Sequence, residues 1–114
     1  MASKFYIVCH HFKPGQAKAW WPIAQAHLSD KNKYDAWVSA SLEKGFYNHS
    51  FNPVATEGPI FCIWETREVI TSEQFQEFID GSGGPNFGLN AFHNICHQID
   101  LSLSGNPPYP AKFN

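Results

Sequence analysis

The run Gly58-Pro59-Ile60-Phe61-Cys62-Ile63-Trp64-Glu65, followed closely by Thr71-Ser72-Glu73-Gln74-Phe75, constrains this chain more than any other stretch. An apolar segment entered through Gly-Pro reads as a strand. Thr71 with Gln74 three residues on is a capping-box pattern, which opens a helix whose buried stripe is Phe75, Phe78 and Ile79. A closing strand is expected over Ala91 to Leu103. The first half repeats the form, with a strand from Lys4 to Phe12 halted by Pro14-Gly15, a helix from Pro14, and a strand from Phe46 to Phe51 ended by Asn52-Pro53. The order β-α-β-β-α-β predicts one α+β domain.

Between these strands Ala17, Trp21, Ala24 and Leu28 recur at helical spacing, with Pro14 suited to the first turn and Pro22 expected to bend the helix. A second helical segment is expected from Lys31, with Tyr34, Trp37, Val38, Ser41 and Leu42 on one side and Gly45 as its left-handed terminator. The loop Asp80-Gly81-Ser82-Gly83-Gly84-Pro85 is rich in glycine. It follows a helix and lacks Gly-Lys-Ser/Thr, so it reads as a turn and not as a phosphate cradle.

At 114 residues, 43% hydrophobic and 16% aromatic, the chain holds one well-filled core. A net charge of −2 and the lack of any basic run argue against nucleic acid. No apolar run approaches the roughly 20 residues that a membrane helix requires, so no membrane partner is expected. The start, Met1-Ala2-Ser3-Lys4, shows no signal-peptide pattern. Cys9, Cys62 and Cys96 form no C-x-x-C pair and read as reduced thiols. A cytoplasmic location is the expectation. The domain is placed at residues 1–103, and 104–114 at an extended Pro-rich arm whose Tyr109 and Phe113 suit packing on the body or on a partner subunit.

The order of elements, the Gly58–Glu65 phrase, the helix with Phe75, Phe78 and Ile79, and the closing strand together resemble the ferredoxin-like dimeric α+β barrel superfamily, over roughly residues 4 to 103. The resemblance implies a four-stranded antiparallel sheet with both helices on one face and the first strand between the third and fourth. Both faces of Lys4 to Phe12 are largely apolar, and an apolar sheet face left bare exceeds what monomers expose. A homodimer paired face to face is therefore expected. The superfamily spans cofactor-independent monooxygenases, haem enzymes, isomerases and metal-binding proteins, so the fold does not set the activity.

The implied strand order brings His10 and His11 beside the start of the third strand and beside His93, with His49 and Phe51 approaching the same end and Glu65 lying toward the other. Imidazoles suit proton transfer near neutral pH and binding of zinc, nickel or copper. Alternation lets only one of His10 and His11 face a cavity. His93 and His97 stand about 13 Å apart along a strand, too far to share a metal. Glu65, ending an apolar strand, is a candidate base. Trp20, Trp21, Trp37 and Trp64 are large enough to line an apolar cavity. The sequence thus nominates His10, His11, His93 and Glu65 for acid–base work, and His49, Phe51 and Trp64 for substrate contact. Each of these residues also has an ordinary structural reading. No dinucleotide fingerprint is present, and no cofactor is expected. Two classes stand: a small-molecule site with oxygenase or isomerase chemistry, and a non-catalytic protein binding a transition metal such as nickel or a small ligand. Whether the chain is an enzyme is left open by the sequence.

Overall fold

The computed structural model describes residues 3–113. The elements run β1 (Lys4–Phe12), α1 (Gln16–Leu28), α2 (Lys31–Lys44), β2 (Phe46–Pro53), β3 (Ile60–Thr66), α3 (Ser72–Asp80), β4 (Phe92–Gln98) and α4 (Leu101–Ser104). The strands form one antiparallel four-stranded sheet in the order β2-β3-β1-β4, so β1 is central, paired to both β3 and β4.

Period-two alternation divides β1 between two faces. Tyr6, Val8 and His10 are buried on one face, and α1 and α3 add Trp20, Ala24, Phe75 and Ile79 to the core there, with Ile60, Cys62 and Trp64 of β3. The opposite face carries Ile7, Phe61 and Ile95, which are 42%, 40% and 37% exposed. These three lie on neighbouring strands, since Cys9 of β1 pairs with both Phe61 and Ile95. A solvent-facing apolar patch therefore remains on the sheet.

Local chemistry sets the helix ends. Asp30 caps α2 by accepting from the Asn32 and Lys33 N–H groups, and Gly45, at φ 95°, closes it. Both bonds of the Thr71–Gln74 capping box are made. Thr71→Ala is expected to cost about 1 kcal/mol, read as a shift of the urea midpoint. A loss within error of zero would show that α3 is held by packing alone.

Three expectations need correction. Pro14 lies in the turn before α1, because Gly15 at φ 77° delays the helix to Gln16. The buried stripe of α1 is Ala17, Trp20 and Ala24, which leaves Trp21 half-buried beside it. The closing strand stops at Gln98, because the Asp100 side chain accepts from Ser102 N–H and hydroxyl and starts the short α4.

Candidate functional site

Between the helix-covered sheet face and α1 and α2 lies a cavity of about 290 Å³. Its sheet side is Asn48 and Phe51 of β2 with Cys62 and Trp64 of β3. A β-bulge in β2 between Asn48 and Ser50 creates this arrangement. Asn48 pairs with Trp64 and Phe51 with Cys62, so both β2 residues share the cavity face although three positions apart. Trp20 and Leu28 of α1 and Tyr34 and Trp37 of α2 form the opposing side.

The loop after α3 closes the cavity with Pro85 and Phe87. Two indoles fasten it: Trp20 Nε1 donates to the Pro85 carbonyl at 2.7 Å, and Trp37 Nε1 to the Gly83 carbonyl at 2.9 Å. The buried Asn86 side chain donates to the Asp80 carbonyl and accepts from Ala91 N–H. Phe87 is held at φ 50°, a left-handed conformation uncommon for an aromatic residue. That geometry sets its ring against Trp37 (5.6 Å between centroids), Trp20 (6.1 Å) and His27 (4.6 Å). The glycine-rich loop is thus a turn that carries a cavity wall.

The polar content of the cavity is small. Burial pushes the Cys62 thiol up to about 12, against hydrogen bonds from Asn48 and the Asn52 backbone that lower it. It stays protonated and packs as a small apolar group. None of the six histidines lines the space. Phe51 and Trp64, of the residues nominated for substrate contact, do line it.

His49 is elsewhere, and its expected position needs correction. The bulge sends it to the opposite sheet face and toward the Glu65 end, not toward His10 and His11. Its Nε2 donates to Glu65 Oε1 at 2.7 Å. The fully buried Glu65 carboxylate also accepts from the backbone N–H groups of Lys112 (2.8 and 2.9 Å) and Phe113 (3.1 Å). Tyr109 stacks on His49 at 4.8 Å with the rings 7° apart, and the Arg67 guanidinium lies over Phe113. Glu65 and His49 therefore anchor the C-terminal arm across one end of the open sheet face. Burial raises the Glu65 carboxyl, but hydrogen bonds from Ser3, His49 and the two arm N–H groups outweigh it and hold the group below its ordinary value. A lowered value suits a permanent anion more than a proton acceptor poised near neutrality.

His10 is buried on the helix side, where its Nδ1 meets Asn94 Oδ1 at 2.5 Å. Asn94 Nδ2 in turn donates to Asp80 Oδ1 at 2.9 Å. These bonds assign the proton to Nδ1, and Nε2 has no hydrogen-bond partner among the described residues. Burial lowers the ring to about 4, against the raising effects of Asn94 and Asp80. His11 and His93 pair directly across β1 and β4 on the open face, both exposed. Cys9 Sγ lies 3.2 Å from His11 Nε2, and burial raises that thiol. The nominated acid–base residues are thus spread over three places: His10 in the core, His11 with His93 on the open face, and Glu65 under the arm. Among the described residues, no group of three or more His, Cys, Asp or Glu side chains is placed to hold a metal ion.

Sequence reasoning placed aromatic rings at a cavity but missed Asn48, Leu28, Tyr34 and Phe87 as its lining. Asn48 was hidden by the bulge, and Phe87 by a loop that has no periodicity to read. Comparison with curated proteins and with solved structures gave no match. Residues 5–106 match the family described as a domain of unknown function, DUF8652, and the chain belongs to that family.

Proposed function

We propose that this protein binds a small aromatic molecule in the cavity between its sheet and helices α1 and α2. The observation that carries the reading is a concave, partly open space of about 290 Å³ lined by three tryptophans, Trp20, Trp37 and Trp64. Ligand sites are concave, mostly apolar and furnished with few polar groups, and occupy upward of ~300 Å³. With no histidine in the lining, the geometry favours binding over histidine acid–base chemistry at this place. Oxygenase or isomerase chemistry would instead need a substrate on the open face near His11 and His93. Native mass spectrometry of protein purified without a metal-affinity tag tests the reading. A small organic mass lost on denaturation is expected. Protein that arrives bare and takes up no aromatic fragment would overturn it.

The sheet order β2-β3-β1-β4, with β1 antiparallel to both neighbours, supports reading the fold as ferredoxin-like. The exposed Ile7, Phe61 and Ile95 support a second copy of this chain as the cover of the open face, in the manner of a dimeric α+β barrel. Two apolar sheet faces pack about 10 Å apart, and the same patch on each copy is self-complementary about a two-fold axis. Sedimentation equilibrium is expected to give a dimer that Ile95→Lys converts to a folded monomer. A wild-type monomer at high micromolar concentration would refute this pairing.

A further inference from the structure

The open sheet face carries a polar cluster that the cavity does not use. Cys9 and His11 stand two residues apart on β1, so their side chains share that face. Cys9 Sγ and His11 Nε2 face one another at 3.2 Å. His93 of β4 is the direct partner of His11, and it is the diagonal neighbour of Cys9, which pairs with Ile95. Directly opposed residues have their Cβ atoms about 4.5–5.5 Å apart and diagonal ones about 7–8 Å, both within the span of an imidazole. Both rings are exposed and Cys9 is half-buried, so the group is open to solvent. The row of Cys9 is otherwise apolar, with Phe61 on one side and Ile95 on the other.

We propose that Cys9, His11 and His93 bind one zinc ion, with the thiolate and two imidazoles as ligands and a water in the fourth position. Thiolate and imidazole are the donors that zinc takes and that calcium and magnesium do not. Metal–ligand lengths of about 2.3 Å to sulfur and 2.0 Å to nitrogen, at a tetrahedral angle, set the two donor atoms about 3.5 Å apart. The Cys9–His11 pair is therefore already close to the bite of a metal. As the side chains stand, the three do not form one coordination shell. His93 completes it by turning about its side-chain bonds, a motion that exposed residues make freely. On binding, the Cys9 S–H bond breaks, the proton goes to water and the sulfur electron pair goes to the metal, so affinity rises with pH. His97, the other histidine of β4, stands about 13 Å from His93 along the strand and takes no part. None of the three ligands lines the aromatic cavity, and the site does not depend on it.

Cobalt(II) tests this as a coloured stand-in for zinc, added under reducing conditions to the whole, tag-free protein after treatment with EDTA. One equivalent per chain is expected to give a thiolate-to-cobalt charge-transfer band and the intense visible bands of tetrahedral cobalt, all bleached by zinc. Cys9→Ser should abolish the charge-transfer band. His93→Gln should weaken cobalt binding by at least about 10-fold, since even outer-shell partners of a metal are worth that much. His97→Gln should change neither. His93 is exposed, so its replacement does not endanger the fold. The first spectrum is read on the unmodified protein and depends on no variant. Absence of the charge-transfer band there overturns the proposal and leaves Cys9 and His11 with a hydrogen bond alone. A band that survives Cys9→Ser overturns it by moving the metal to another thiol. Undiminished cobalt affinity in His93→Gln overturns it by removing His93 from the ligand set.

Discussion

Trp20→Ala is expected to lower the free energy of unfolding by about 3–5 kcal/mol, the range for emptying a buried aromatic site. The side chain is fully buried and its ring lies within 5.5 Å of Phe12, Trp21 and Phe92, measured between centroids. Its N–H also holds the loop at Pro85, so the substitution removes packing and leaves that buried carbonyl without its donor. Trp21→Ala should cost markedly less, since that residue is half-buried and its hydrogen bond to Thr56 is exposed. Urea unfolding of the two variants checks the contrast. Equal losses would mean that α1 is rotated so that Trp21 shares the buried face with Trp20.

Acid should remove about 3 kcal/mol of stability between pH 6.5 and 4, and His10 is the cause. Burial lowers the His10 ring from 6.5 to about 4 in the folded protein. Across that window the unfolded chain binds the proton and the folded one does not, so stability falls as pH falls. Glu65 acts in a separate and lower window. Its folded value lies below the ordinary 4.5, so its contribution is fully present above that value and is lost as pH drops further. The arm should then loosen from the sheet, which faster hydrogen exchange at Lys112 and Phe113 would show. Stability measured in urea from pH 7 to 3 gives the first slope, and His10→Gln should flatten it between pH 6.5 and 4. A slope that survives this substitution would assign the acid sensitivity to another group.

The elements were legible because each rests on local chemistry: the Thr71–Gln74 box, the Gly45 terminator, the Pro-Gly break after Phe12 and the alternation within β1. The cross-strand neighbours His10–Ile60 and His11–His93 followed once β1 was set between β3 and β4. The site was less legible because it depends on two irregularities. The bulge at Asn48–Ser50 reverses the facing of His49, and no residue pattern marks it. The left-handed Phe87 is imposed by the indole and Asn86 bonds that fasten its loop, which are contacts distant in sequence. The histidines drew notice by residue type, yet alternation and the bulge distribute them over both sheet faces. Glu65 stands out at the end of an apolar strand, but besides His49 its partners include backbone groups of an arm some 47 residues further along.

Uptake of a small molecule by the aromatic cavity is measured most directly by calorimetric titration with naphthalene. Saturable one-to-one binding is expected, and it should be abolished by Leu28→Trp, which adds a further ring to the cavity from the half-buried edge of α1 while leaving the core intact. The absence of saturable binding, or binding undiminished in a folded Leu28→Trp protein, would contradict it.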